Sequence, residues 1–250
     1  MSLSDDQLER YARHIVLREV GGEGQRALLA AHVAVIGAGG IGSPVIQYLS
    51  AAGVGRLTVI DFDTVDLSNL QRQTLFGTAD AGAPKAGRAA EVVAALNPDV
   101  TVDVRSVRLD EGNARDLLAD ADAIVDGSDN FTTRLTVADA AQALHIPLIS
   151  ASVAQFEGQL AVYRGWEPDK PCYRCLVGAD PGVEEQTCAE QGVLGAMAGV
   201  MGSLAAMEAI RTITGFGEDS AGKLLLVDAL SLRMRLVSVP KDPGCRLCRD

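Results

Sequence analysis

Over the first 150 positions, short unbroken apolar runs alternate with longer stretches in which apolar residues recur every three or four positions. Runs that short are strands buried on both faces, and the stretches between them are amphipathic helices. His32–Ile36 is such a run, followed by a glycine loop and a helix predicted over Ile41–Ala52, which Gly53 stops. Leu57–Ile60 is the second strand. A connection through a helix sets the two strands parallel, so this is a βαβ unit with Asp61 at the carboxyl edge of its sheet. A helix opened by Pro84 runs to Leu96, and Asn97-Pro98 ends it. Val100–Val107 alternates imperfectly, as suits a strand near a sheet edge. A short helix over Asn113–Ala119, a strand over Ala123–Val125, a helix through Leu144 and a strand over Pro147–Ser150 complete the repeat.

The flanking segments differ in character. Ser4–Leu17 is predicted as one helix, capped by Ser4, with Leu8, Tyr11 and Ile15 at helical spacing. After Ser150, the strand-like segments Gln159–Tyr163, Lys223–Asp228 and Met234–Val239 surround an apolar helix over Val193–Met207. Gly192, Gly195, Gly199 and Gly202 give that helix a smooth face that a strand or second helix can approach closely. No linker interrupts the pattern, so a single unit is expected over 1–250: a helical arm over 1–30, a nucleotide-binding βαβ core over 31–150 and a sheet extension over 151–250. The expected fold is α/β and Rossmann-like, a mostly parallel sheet with helices on both faces, extended by antiparallel C-terminal strands.

Composition narrows the setting. With 48% hydrophobic and 22% charged residues the chain is an ordinary globular protein, and its net charge of −11 disfavours nucleic acid and anionic membranes as partners. A partner with a basic face is favoured instead. The polar, acidic start lacks the order of a secretion signal, and Val193–Met207 is shorter than the roughly 20 residues a bilayer requires. A cytoplasmic protein without membrane contact is expected, and in that setting five cysteines point to metal or thiol chemistry.

The candidate chemistry gathers at the sheet's carboxyl edge. The loop Gly37-Ala38-Gly39-Gly40-Ile41-Gly42 opens a helix, where backbone N–H groups cradle phosphates. Asp61, in Asp61-Phe62-Asp63, lies about 20 residues further on, where a carboxylate accepts from ribose hydroxyls. Both features suit ATP and NAD equally. The next loop, Ser68-Asn69-Leu70-Gln71-Arg72-Gln73, adds amides and a cation, and Lys85 adds a second cation. One pyrophosphate needs no such help, so the ligand indicated is a nucleoside triphosphate. Asp129 follows the strand over Ala123–Val125 and suits Mg²⁺ shared with phosphate oxygens, although it and Asn130 equally suit helix capping.

Cys172 and Cys175, with Cys245 and Cys248, form two CxxC knuckles beside proline turns. Two such pairs make a closed tetrahedral zinc site that pins the C-terminal tail to the middle of the chain. Thioredoxin-like redox chemistry is the rival, but that motif occurs singly at a helix start and both knuckles read as turn-rich loops. Cys188, the odd cysteine, is either a thiol activated at a helix start or an idle one. His14, His32 and His145 share no ligand spacing and read as structural.

Taken together, Gly-Ala-Gly-Gly-Ile-Gly, Asp-Phe-Asp, Ser-Asn-Leu-Gln-Arg-Gln, Pro84-Lys85, Ser128-Asp129-Asn130 and the paired CxxC resemble the MoeB/ThiF family of bacterial relatives of ubiquitin-activating enzymes. The resemblance spans nearly the whole chain. It implies adenylation, with ATP and Mg²⁺, of the C-terminal glycine of a small ubiquitin-like (β-grasp) sulfur-carrier protein in molybdopterin, thiamine or tRNA-thiolation pathways. By the same resemblance Gly40 approaches the nucleotide, Asp61 the ribose, Asn69, Arg72 and Lys85 the phosphates, and Asp129 the Mg²⁺. Gly37, Gly39, Gly42, Asp63, Ser68, Gln71 and Asn130 complete the candidate nucleotide site. Arg13 matches an arginine that family members send across a homodimer interface into the partner's site. Cys188 matches a position that forms a covalent link in some relatives and is dispensable in others. The chain stops two residues after Cys248, which implies that sulfur comes from a separate sulfurtransferase or cysteine desulfurase. An NAD-dependent oxidoreductase and a non-catalytic zinc scaffold are the alternative readings.

Overall fold

A computed structural model describes residues 3–178 and 192–249. β1 (His32–Ile36) is buried throughout, with Val33 and Val35 in one apolar cluster and Ala34 and Ile36 in another. Successive side chains of a strand point to opposite faces, so a strand apolar at every position requires cover on both sides. β2 (Arg56–Ile60) lies parallel to β1 on one side, and β4 (Ala123–Asp126) lies parallel to it on the other. β3 (Thr101–Arg105) pairs with β2 as the outermost strand, as its weak alternation predicts. It is shorter than expected, because Val107 leaves the sheet to line a cleft.

β5 (Leu148–Ala154) extends the parallel set beyond β4. β6 (Glu157–Tyr163), β7 (Lys223–Asp228) and β8 (Arg233–Ser238) then continue the sheet antiparallel, each beside its predecessor. The strand order among the described residues is β3-β2-β1-β4-β5-β6-β7-β8. That order reverses direction at β1, so the crevice between the loops leaving β1 and β4 is the topological switch point where ligands of such sheets bind.

Near the amino end are α1 (Asp5–Arg10), α2 (Ala12–Ile15), α3 (Gly21–Ala30) and α4 (Gly42–Ala52). α5 (Lys85–Leu96), α6 (Ala114–Leu118), α7 (Phe131–Leu144), α8 (Tyr173–Val177) and α9 (Gly195–Thr214) follow. α4, α5 and α9 pack on one face, with α3 against α9, while α6, α7 and α8 cover the other. Among the described residues no helix is long and apolar enough to cross a membrane.

Three elements depart from the expectation. The N-terminal helix breaks at Tyr11, whose buried hydroxyl accepts from Asn97 Nδ2 (2.9 Å) and donates to Asp99 Oδ2 (3.2 Å). That anchorage costs the helix one residue's geometry and fixes the arm to the body. α3 carried no readable start signal, since it opens on Gly21-Gly22 without a side-chain cap. Its buried Gln25 donates to Ala52 O (2.8 Å). The first CxxC knuckle is also not a plain loop, because Cys172 is the N-cap of α8.

The glycines of α9 act as expected at two of three helical positions. A Cβ on Gly202 would lie 2.3 Å from Ile41 O, and one on Gly195 would lie 2.1 Å from Gln71 O, whereas Gly199 faces open space. Gly202 thus lets α9 press against the start of α4. Gly202→Ala is therefore expected to lower stability by about 1–3 kcal/mol in urea unfolding. Gly87→Ala on α5, where an added methyl meets nothing, should raise it by about 0.5–1 kcal/mol.

Candidate functional site

The loop after β1 turns through Gly37, whose φ of +84° is the left-handed conformation that side chains resist. The next constraint is tighter: a Cβ on Gly42 would lie 1.8 Å from Gly37 O. Glycine at both positions lets α4 start directly against the loop. Asp61, at the end of β2, completes the turn by accepting from Ala38 N (2.8 Å) through Oδ2 and from Asp63 N (2.8 Å) through Oδ1. Burial raises its pKa above the ordinary carboxylate value, opposed by Lys85 and by these two N–H groups. Each oxygen keeps a further lone pair, so Asp61 can hold the loop and still accept ribose hydroxyls.

A cleft of roughly 690 Å³ opens above these groups at the switch point. It brings together Gly37, Gly39, Gly40, Asp61, Asp63, Arg72, Lys85, Asp129 and Asn130 from loops far apart in sequence. Lys85, only 5% exposed, reaches Asp63 Oδ2 at 3.2 Å. Arg72 is braced by Asn69 Oδ1 (2.7 Å) and Ser68 O (3.3 Å). Asp129 is exposed into the cleft, and among the described residues no hydrogen bond or ion pair reaches its carboxylate. Asn130 Oδ1 caps α7 through Thr133 N (2.8 Å).

Other expected positions stand one step back from the cleft. Gly42 serves packing, and Asn69 orients Arg72. Ser68 donates to Asp66 Oδ1 (2.5 Å), and the carbonyl of Gln71 meets the start of α9 at Gly195. Arg13 is exposed on α2, outside the cleft of its own chain. Cys188 lies outside the described residues. The histidines are structural: His14 meets Gln25, His32 meets Asp120 O and Thr58, and His145 stacks on Trp166.

The site also contains groups the motifs did not single out. Gln73 is buried and among the described residues its Oε1 has no partner, Ala198 of α9 packs over Gly40, and Arg108 lies 4.0 Å over the ring of Phe62. Arg134 lines the cleft from α7. Gln73 lay within a quoted motif, but the others come from elements whose approach only the fold reveals.

Away from the cleft, the Sγ atoms of Cys172, Cys175, Cys245 and Cys248 lie within 4.8 Å of one another. Cys172–Cys175, Cys172–Cys245 and Cys175–Cys248 are 3.8, 3.6 and 3.4 Å apart. Four thiolates around one zinc at 2.3 Å are about 3.8 Å apart, so the cluster fits that ion. Burial and neighbouring sulfurs push Cys172 far up and Cys248 up to about 11, a penalty that a central cation removes. A zinc held by all four thiolates would have no position left for a substrate.

This fold and cleft define a Rossmann-like α/β protein with a nucleotide-type site at its switch point. The chain belongs to the ThiF family, whose model matches residues 11–247. It is 46% identical over 256 residues to the sulfur carrier protein adenylyltransferase of Thermus thermophilus, covering 100% of this chain and 94% of that one. It is 40% identical over 246 residues to the molybdopterin-synthase adenylyltransferase of Escherichia coli, covering 98% of each. The SAMP-activating enzyme E1 of Haloferax volcanii is 44% identical over 252 residues, covering 100% of this chain and 92% of that one. A crystal structure of E. coli MccB with MccA-N7isoASN shares the fold, with a TM-score of 0.85 at 22% identity, covering 100% of this chain and 76% of that one.

Two outcomes follow from this geometry. If Asp61 accepts from ribose hydroxyls, its ionised form accepts more strongly, so nucleotide affinity is expected to fall as pH drops through its raised pKa, starting above the ordinary carboxylate range. Asp61→Asn should weaken binding by about 1.5–3 kcal/mol in calorimetry and flatten that acid limb. For the thiol cluster, elemental analysis should find one zinc per chain, and a chelator should lower Tm. Metal-free protein with an unchanged Tm would remove the metal from the fold.

Proposed function

We propose that this protein adenylates the C-terminal glycine of a small ubiquitin-like sulfur-carrier protein, using ATP with Mg²⁺ and releasing pyrophosphate. The observation that carries the reading is the convergence of Arg72 and Lys85 with Asp129, whose carboxylate has no partner among the described residues, above a glycine loop and Asp61. A dinucleotide's single pyrophosphate would leave that charge without a task. Relatives of nearly the same length, at 40–46% identity, carry adenylyltransferase names.

In this reading the glycine loop holds the phosphates and Asp61 the ribose. Asp129 offers the hard oxygen donor that Mg²⁺ takes in company with phosphate oxygens, where the ion offsets their charge. The carrier's terminal carboxylate, already ionised at neutral pH, attacks the α-phosphorus. A carboxylate oxygen–phosphorus bond forms, the bond from the α-phosphorus to the bridging oxygen breaks, and pyrophosphate leaves with the electron pair. No general base is needed, so the cleft's task is alignment and neutralisation. Lys85 and Arg72 stabilise the charge that develops on the leaving group.

Partners follow from surfaces outside the cleft. Among the described residues β8 is one of the two edge strands of the sheet, and Leu230, Leu232, Met234, Leu236 and Val237 are exposed on or beside it. Such an edge suits a carrier that has a sheet of its own. Arg13, exposed on α2, is available to the cleft of a second copy, which supports a homodimer in which it stabilises leaving pyrophosphate in trans. A closed zinc site, cytoplasmic location and a separate sulfurtransferase or cysteine desulfurase belong to the same reading, with the carrier drawn from molybdopterin, thiamine or tRNA thiolation.

Carrier-dependent exchange of labelled pyrophosphate into ATP tests the proposal. Wild-type protein should exchange, and Asp129→Ala should lose on the order of a hundredfold or more while keeping its fold. Tight NADH binding without Mg·ATP binding would overturn the reading.

A further inference from the structure

Ser128 and Asn130, which flank Asp129, are both fastened. Asp126, 1% exposed at the end of β4, accepts from Ser128 N through Oδ1 (2.9 Å). The Ser128 carbonyl accepts from Nη2 of Arg134, and Asn130 is held as the cap of α7. Arg134 is itself 8% exposed, and its guanidinium also donates to Ala151 O (2.9 Å) and Ser150 Oγ (3.2 Å) on β5. Among the described residues no carboxylate forms an ion pair with it.

A buried guanidinium without an ion-pair partner is costly, and a neutral apolar residue would fill the space without that cost. What arginine supplies is a rigid planar fork whose charge-assisted bonds reach two elements at once. Here the fork joins the peptide entering Asp129 to the adjacent strand. We infer that Arg134 is a positioning residue: it fixes the Ser128–Asp129 peptide so that the Asp129 carboxylate meets a divalent cation without reorganising. The inference rests on the adenylation reading for the identity of the ligand. A loose support shell lets a carboxylate drift by about 1 Å, which is enough to cost catalysis on the order of a hundredfold.

The test uses full-length Arg134→Lys and Arg134→Ala proteins, with Tm as the check on folding. Arg134→Lys keeps the charge and loses the fork. Mg²⁺ titration of ATP binding, read by calorimetry, needs no carrier. Arg134→Lys should need several-fold more Mg²⁺ for half-maximal ATP binding, a larger change than any in its affinity for ATP without Mg²⁺. Carrier-dependent exchange should fall about tenfold and recover in part at high Mg²⁺. Arg134→Ala should shift the Mg²⁺ requirement further; if it does not fold, the lysine variant decides. An unchanged Mg²⁺ requirement in Arg134→Lys overturns this inference alone, as does an equal loss of metal-free ATP affinity. Wild-type protein that shows no Mg²⁺-dependent ATP binding overturns the adenylation reading and this inference with it.

Discussion

The architecture of the cleft depends on one buried carboxylate holding two backbone N–H groups. Asp61 ties the loop after β1 to its own strand end through Ala38 and Asp63, so two neighbouring strands share one fixed edge. Lys85 answers its charge, and Asp63 in turn holds Lys85. With that edge rigid, Gly37 and Gly42 let α4 begin directly at the cleft, and α9 closes over the same place at Gly202. The packing of the larger core therefore converges on the site.

The parallel half of this fold was legible because β1, β2 and β4 are short, mostly apolar runs buried on both faces. His32–Ile36 appears in the structure with the bounds read from the sequence, as does Lys223–Asp228 in the antiparallel extension, and the edge position of β3 followed from its poor alternation. The antiparallel extension was legible as a change of pattern. The glycine loop and Asp61 at the mouth of the cleft were legible because switch-point geometry favours glycine and an acid at fixed separations. The four cysteines were legible because few other chemistries use two CxxC pairs.

What the sequence concealed was set by contacts distant along the chain. The break at Tyr11 answers Asn97 and Asp99, more than 80 residues away, and leaves no local signature. α3 begins on two glycines because tertiary packing against α9 outweighs propensity. Within the quoted motifs, Asn69 and Gly42 proved to support the cleft rather than line it. A motif reports that residues are needed together, without distinguishing those that touch a ligand from those that hold them. Arg134 shows the converse, since nothing local marks a helical arginine as the brace of a neighbouring loop.

The thiol cluster joins Cys172 and Cys175 to residues 73 positions later, enclosing α9, β7 and β8 within one long segment. Its last ligand, Cys248, is made only after every strand of the sheet has been synthesised. The parallel strands are therefore all made before the fourth sulfur exists. A metal bound there would act as a latch and not a nucleus, tying the tail after β8 back to the segment after β6.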